Sequence, residues 1–283
     1  REGSLETQQK FLNQSIAQTF TLYLLILALF RELHLLAEEQ VKKGSRKYLK
    51  SEGQTTPLRF SENRVLKQLA DNEKLGEALK KRKLKQWYLN EEYVKILLKE
   101  ILQSDLYREY VKRPSGYRED REFLAAIFKE LIAPNEKIYE FLEDEGITWV
   151  DDLPLVNTYL LKQLRKVKPD SPEGYFLPAL LKNREDMDFA LELLKKTLLK
   201  GQELEDEIEG KTPNWDKERI AELDAILLKM AIAELLYFPS IPERVTINEY
   251  LEIAKEYSTP KSSIFINGVL DKLTRDYKAT GRL

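Results

Sequence analysis

Apolar residues recur every three to four positions through most of the chain, and strict two-residue alternation is hard to find. That spacing lines one face of an α-helix, so the pattern predicts an all-α protein. Residues 5–43 have room for one long helix, or for two with a break near Gln14–Thr19, and Gly44 stops the pattern. A polar loop at 51–60 contains Pro57, and Ser61 is placed to cap a helix near 62–70. Further helices fit 72–86, 90–110, 119–131 and 134–145, with Pro134 at a favoured first-turn position and Gly146 as terminator. Residues 151–167 form another candidate, and the turn formers from Pro169 to Pro172 mark a break. A boundary there predicts an N-terminal subdomain over 1–185 and a C-terminal subdomain over 186–283.

The last hundred residues parse more sharply. Residues 186–209 present an apolar face at Phe189, Leu193, Leu194 and Leu198, ended by Gly210 and Pro213. The next helix spans 216–238, with a stripe at Ile220, Leu223, Leu227 and Met230, and Pro239 and Pro242 stop it. Thr246, Ile247, Asn248 and Glu249 read as a capping box, with Val245 and Tyr250 as its hydrophobic staple, for a helix ending at Tyr257. Thr259 as cap and Pro260 at the first position start the final helix.

Composition narrows the chemistry. The chain has 283 residues, 42% hydrophobic and 33% charged, a globular balance with a charge-rich surface. A net charge of −2 excludes a globally basic nucleic-acid binder but leaves room for a local basic patch. With no cysteine there is no disulfide, thiolate metal site or Cys nucleophile, which suits a reducing cytoplasm. The single histidine, His34, lies between Leu33 and Leu35 and reads as structural. The longest apolar run, 20–30, is about half of the roughly 20 residues a bilayer crossing needs, so it reads as a buried helix and no membrane partner is expected. No phosphate loop, zinc spacing or nucleophile elbow occurs, so no cofactor or metal is expected, and nothing singles out an acid–base pair among the many carboxylates, most of which are spaced as solvated helix faces.

Three features carry weight beyond the fold. Glu234 continues the stripe of Leu223, Leu227 and Met230 and therefore points toward the core. A buried carboxylate needs a partner, and a clamp to the start of the following helix is the favoured reading over a catalytic acid. In the final helix Ile266, Val269, Leu270 and Leu273 form the buried stripe, with Phe265 at its edge on the side of Lys261, Gly268 and Lys272. An aromatic between two lysines, with a glycine leaving room, can stack an unpaired base; the alternative folds Phe265 into the core while the lysines snorkel. Two basic clusters, one at Lys42, Lys43, Arg46, Lys47 and Lys50 and one at Lys80, Lys81, Arg82, Lys83 and Lys85, either complement helix dipoles or contact phosphate.

From Asp186 to about Arg275 the chain resembles the NusB family of transcription antitermination and rRNA-maturation factors. The resemblance rests on 189–194 (FALELL), Asn214, Trp215, Arg219, Asp224, Ile226, Leu227, Ala231, Glu234, Leu235, Pro242, Val245, Ile247 to Glu249, Ala254, Lys255, Ser262 and 265–271 (FINGVLD). It implies NusB-like helical bundles in two subdomains, with a large helical insertion in the N-terminal half, and a non-catalytic role. It further implies binding of boxA-type leader RNA together with the ribosomal protein NusE in an antitermination complex on RNA polymerase. It assigns RNA contact to Lys229, Arg244, Lys261, Ser262, Phe265, Asn267 and Lys272, and acidic positions around the partner surface to Glu218 and Asp224.

The departures are as informative. The family's first, Arg-rich helix has no counterpart, residues 1–43 look like its second helix region, and 44–185 far exceed the usual linker, as in a long bacterial form. Some relatives pair as homodimers that hide the RNA surface. Two other functions fit the same resemblance. One is an accessory domain of an rRNA cytosine methyltransferase system, although no nucleotide-binding α/β segment follows up to Leu283. The other is a protein-binding scaffold without RNA contact.

Overall fold

The computed structural model describes residues 4–46, 56–209 and 221–283. It is all-α, with no strand among the described residues. The chain divides into two compact units, one of Ser15–Leu180 and one of Arg1–Gln14 with Leu181–Leu283.

The first unit is threaded by α1 (Leu5–Arg46) from Ser15 onward, one uninterrupted helix that runs through Gly44 instead of stopping there. Nine consecutive residues, 22–30, are buried on every face, as in a helix enclosed by others. The Trp87 indole donates to the Leu25 carbonyl at 2.7 Å, Phe30 meets Phe128 and Tyr23 meets Tyr159. By length and composition Leu5–Gly44 could cross a membrane, longer than its uninterrupted apolar run implies, yet 67% of that apolar window is buried in the fold. It is the core helix of this unit.

Around it lie α2 (Leu58–Ser61), α3 (Arg64–Ala70), α4 (Glu73–Lys81), α5 (Gln86–Leu89), α6 (Glu91–Gln103), α7 (Asp105–Lys112), α8 (Tyr117–Ile127), α9 (Glu136–Glu145) and α10 (Trp149–Lys166). The caps correct the sequence reading. Ser61 ends α2, and Asn63 caps α3 by accepting from the Val65 and Leu66 amides at 3.0 Å. Asn72 and Asn135 likewise cap α4 and α9, so Pro134 lies outside its helix. The span 90–110 breaks at Ser104, whose hydroxyl accepts from the Tyr107 amide and starts α7.

Asp120 is fully buried at the junction of α2, α3, α7 and α8. It meets Arg59 at 3.2 Å and Arg64 at 3.0 Å, accepts from the Arg64 amide at 3.0 Å and from the Tyr110 hydroxyl at 2.7 Å.

His34 is 3% exposed, and neither ring nitrogen has a hydrogen-bond partner among the described residues. Burial holds its pKa below the ordinary 6.5, against the opposing pull of Glu38. A depressed folded pKa means that the unfolded chain binds the proton first. The stability held above pH 6.5 is therefore lost as pH falls from there through the folded value. As the chain has one histidine, NMR of its ring protons should show a midpoint below 6.5, and His34→Leu should remove that part of the pH dependence. A midpoint at or above 6.5 would refute the burial argument.

The second unit comprises α11 (Arg184–Leu199), α12 (Gly201–Glu209), α13 (Glu222–Tyr237), α14 (Glu243–Tyr257) and α15 (Ser262–Ala279). The span 186–209 splits at Lys200, whose φ of −103° and ψ of 14° leave the helix just before Gly201. Leu193 is buried, but Leu198 is exposed, so the apolar face is shorter than its spacing predicts. Helix α13 packs against each of the other four, which explains why it is apolar nearly all round. It starts at Glu222, after Ala221 at the N-cap, and residues 216–220 of the predicted span, Ile220 of its stripe among them, lie outside the described residues.

Candidate nucleic-acid interface

The interface predicted from sequence centres on α15, whose position is set by the helices before it. Helix α14 begins at Glu243, directly after Pro242, which sets φ at −60°. Thr246 therefore lies inside the helix, and the capping box does not form. Its hydroxyl, fully buried, donates to Glu234 Oε1 at 2.7 Å, and the Tyr250 hydroxyl donates to Oε2 at 3.1 Å. Glu234 is 7% exposed and does clamp α13 to α14, through two side-chain hydroxyls in place of the backbone amides of a helix start. Burial, and then the neighbouring Glu234, pushes the Tyr250 hydroxyl pKa up. Val245 is exposed and forms no staple with buried Tyr250.

The start of α15 is held from α13. Asp224, 6% exposed, accepts from Ser258 Oγ at 2.6 Å and from Ser262 Oγ at 2.8 Å. Ser262 Oγ in turn accepts from the Thr259 amide at 3.2 Å. The helix begins at Ser262, with Lys261 at the N-cap, two residues beyond the Thr259 expected to cap it. Near its other end the Tyr277 hydroxyl donates to Glu207 at 3.0 Å, and Arg282 pairs with the same carboxylate at 2.7 Å. With Ile266, Val269, Leu270 and Leu273 buried between these ties, α15 presents a fixed outer surface.

That surface carries Lys261, Ile264, Gly268, Lys272 and Arg275, all exposed and spaced three or four residues apart. Phe265 sits at its margin, half-buried, packed against the unit's core. Gly268 has no structural need to be glycine. Its φ is not positive, and a Cβ there would meet nothing within 4 Å. Glycine inside a helix costs about 1 kcal/mol relative to alanine, so the open notch beside Phe265 is kept at a cost to the helix. Ile264, 74% exposed, is the residue that sequence reasoning passed over; its place three after Lys261 on the same face was the available signal.

The other predicted residues are distributed differently. Arg244 is exposed in the first turn of α14. Asn267 is half-buried and donates to Asp271 at 3.3 Å. Lys229 is paired with Glu205 at 2.9 Å, bridging α13 and α12. Asp224 and Ser262, expected on separate partner and RNA surfaces, are buried together and bonded to one another. Glu218 lies outside the described residues, as do Asn214, Trp215 and Arg219. In the first basic cluster Lys42 and Lys43 pair with Glu38 and Glu39, while Lys47 and Lys50 lie outside the described residues. Among the described residues no group of three or more His, Asp or Glu side chains is placed to hold a metal.

Comparison with known proteins bears on the same region. A model of the NusB family matches residues 155–275. The chain is similar to the transcription antitermination protein NusB of Salinibacter ruber, 46% identical over 96 residues, or 34% of this chain and 60% of that protein. It is 36% identical over 122 residues to the protein of that name from Chloroherpeton thalassium, covering 43% of this chain and 58% of the other. With the protein of that name from Geotalea daltonii it shares 37% identity over 119 residues, 42% of this chain and 79% of the other. The matched segment thus spans about 60% of the first two relatives. No solved structure matches the chain.

Proposed function

The chain belongs to the NusB family, and from that membership we propose that it is a non-catalytic transcription antitermination and rRNA-maturation factor that binds boxA-type leader RNA through residues 186–283. The observation that carries this reading is the outer face of α15: two lysines bracket a half-buried phenylalanine and an open glycine notch. Lys261 and Lys272 meet phosphates, Phe265 stacks an unpaired base, and Gly268 lets that base lie close to the helix. Arg244 and Asn267 extend the contact, and Lys229 joins it on exchanging Glu205 for phosphate. Asp224 and Ser262 act from beneath by fixing where α15 starts. The family resemblance adds NusE, an RNA polymerase antitermination complex, a cytoplasmic setting and a place for Glu218 on the partner surface.

Filter binding or fluorescence anisotropy with a boxA-type oligonucleotide tests the proposal. Phe265→Ala should weaken binding roughly 5- to 150-fold, from about 1–3 kcal/mol of stacking per base, and Lys261→Glu should weaken it further while helicity stays intact. Affinity should also fall with salt. Gly268→Ala is the discriminating companion: it should stabilise the helix by about 0.5–1 kcal/mol and still weaken RNA binding. Unchanged affinity across these variants would sink the proposal. A second reading, a protein-binding surface without RNA contact, draws on Ile264, an apolar side chain 74% exposed on the same face. NusE pull-down with and without RNA separates the two.

A further inference from the structure

The second basic cluster lies in the unit of residues 15–180, outside the span matched by the family. Helix α4 ends in the pattern that normally calls for glycine. The Leu84 amide donates to the Leu79 carbonyl at 3.1 Å and the Lys83 amide to the Lys80 carbonyl at 3.0 Å. This places Lys83 at the left-handed position after the helix, with φ of +56°, the one positive-φ non-glycine among the described residues. Glycine or asparagine is the low-strain choice there, and a lysine gains nothing locally to offset the strain.

The surrounding turn is rigid. Trp87 is buried against Phe141 and bonded to Leu25, Leu84 packs on the core, and Arg82 donates to Thr21 at 2.8 Å and covers the Phe20 ring. What the turn leaves outside is Lys80, Lys81, Lys83 and Lys85, all exposed, none with an ion pair to another described residue. Three positions beyond Lys85, Tyr88 is 74% exposed on α5, with Leu89 at 73%.

We propose that Lys80, Lys81, Lys83, Lys85 and Tyr88 form a second contact for single-stranded RNA, independent of the α15 face. Four unpaired ammonium groups on a fixed turn hold successive phosphates, and the Tyr88 ring offers a stacking platform that needs no particular base. Lysine takes the strained position because its charge serves the ligand there. A membrane surface fits less well. Interfacial helices need a broad apolar stripe, whereas α5 has four residues, one of them the buried Trp87.

The test uses the full chain carrying Phe265→Ala and Lys261→Glu, so that the α15 face is disabled, and a fluorescein-labelled 12-nucleotide oligouridylate in low salt. This background should still bind, with salt-dependent affinity. Adding Tyr88→Ala should weaken it about tenfold. Lys80→Gln with Lys81→Gln should flatten the slope of log affinity against log salt by about 1.4, from ~0.7 per single-strand phosphate contact. Lys83→Gly should weaken binding while raising the unfolding midpoint. No binding by the background, or an affinity indifferent to Tyr88→Ala and the lysine changes, overturns the proposal. So does binding lost only toward phosphatidylserine vesicles. If the α15 reading alone is wrong, the background will instead bind as tightly as the unmodified chain.

Discussion

Asp120→Ala should destabilise the unit of residues 15–180 by about 3–5 kcal/mol, the cost of removing one partner from a buried ion pair. The carboxylate is wholly buried, forms ion pairs with Arg59 and Arg64, and accepts from the Arg64 amide and the Tyr110 hydroxyl. Deleting it leaves both guanidiniums without their counter-charge and the Arg64 amide and Tyr110 hydroxyl without this acceptor, although Arg59 and Arg64 keep their bonds to Ser115. Arg59 has only 14% of its side chain exposed and lies over the Tyr110 ring, so it cannot turn to water without giving up that packing. Asn63 is coupled to the same point, since its side chain donates to Tyr110 Oη and to the Asp120 carbonyl while capping α3. Urea denaturation followed by circular dichroism measures the loss. A change under about 1 kcal/mol would place Asp120 among surface-type pairs and refute the junction it is assigned.

Glu234→Ala should cost the second unit about 2–5 kcal/mol, from two buried hydroxyls left without an acceptor and the cavity left by the side chain. Thr246 and Tyr250 are 0% and 3% exposed, so water does not replace the carboxylate. The triple variant Glu234→Leu, Thr246→Val, Tyr250→Phe should recover most of that stability, because exchanging all polar partners for apolar groups leaves nothing unsatisfied. Thermal unfolding of the two variants decides it. If the triple variant is no more stable than Glu234→Ala alone, packing and not hydrogen bonding holds α13 to α14. The same comparison reaches function. Because α14 leads into α15, RNA affinity under the proposed reading should fall with Glu234→Ala and return with the triple variant.

Helix positions and the buried stripes were legible in the sequence because a 3.6-residue apolar period survives any tertiary arrangement that buries one face. The need of Glu234 for a partner was legible for the same reason: it continued an apolar stripe. Its actual partners were not, since Thr246 and Tyr250 have the spacing of a cap and staple, whereas Pro242 caps α14 four residues earlier. Caps were misplaced more generally. Asn63, Asn72 and Asn135 start helices where Ser61 and Pro134 were the nearer sequence signals, because a cap is chosen by which side chain reaches the free amides.

The sequence by itself determined an all-helical chain, a C-terminal segment with the NusB pattern, and the helical face that groups Lys261, Gly268 and Lys272, because these rest on local periodicity and residue order. Only the tertiary structure decided that Asp224 and Ser262 are bonded to each other, that Lys229 is paired with Glu205, and that Lys83 stands in a left-handed turn with three other exposed lysines and an exposed tyrosine around it. Burial and pairing depend on what the rest of the chain brings alongside a residue, and a one-dimensional pattern does not carry that information.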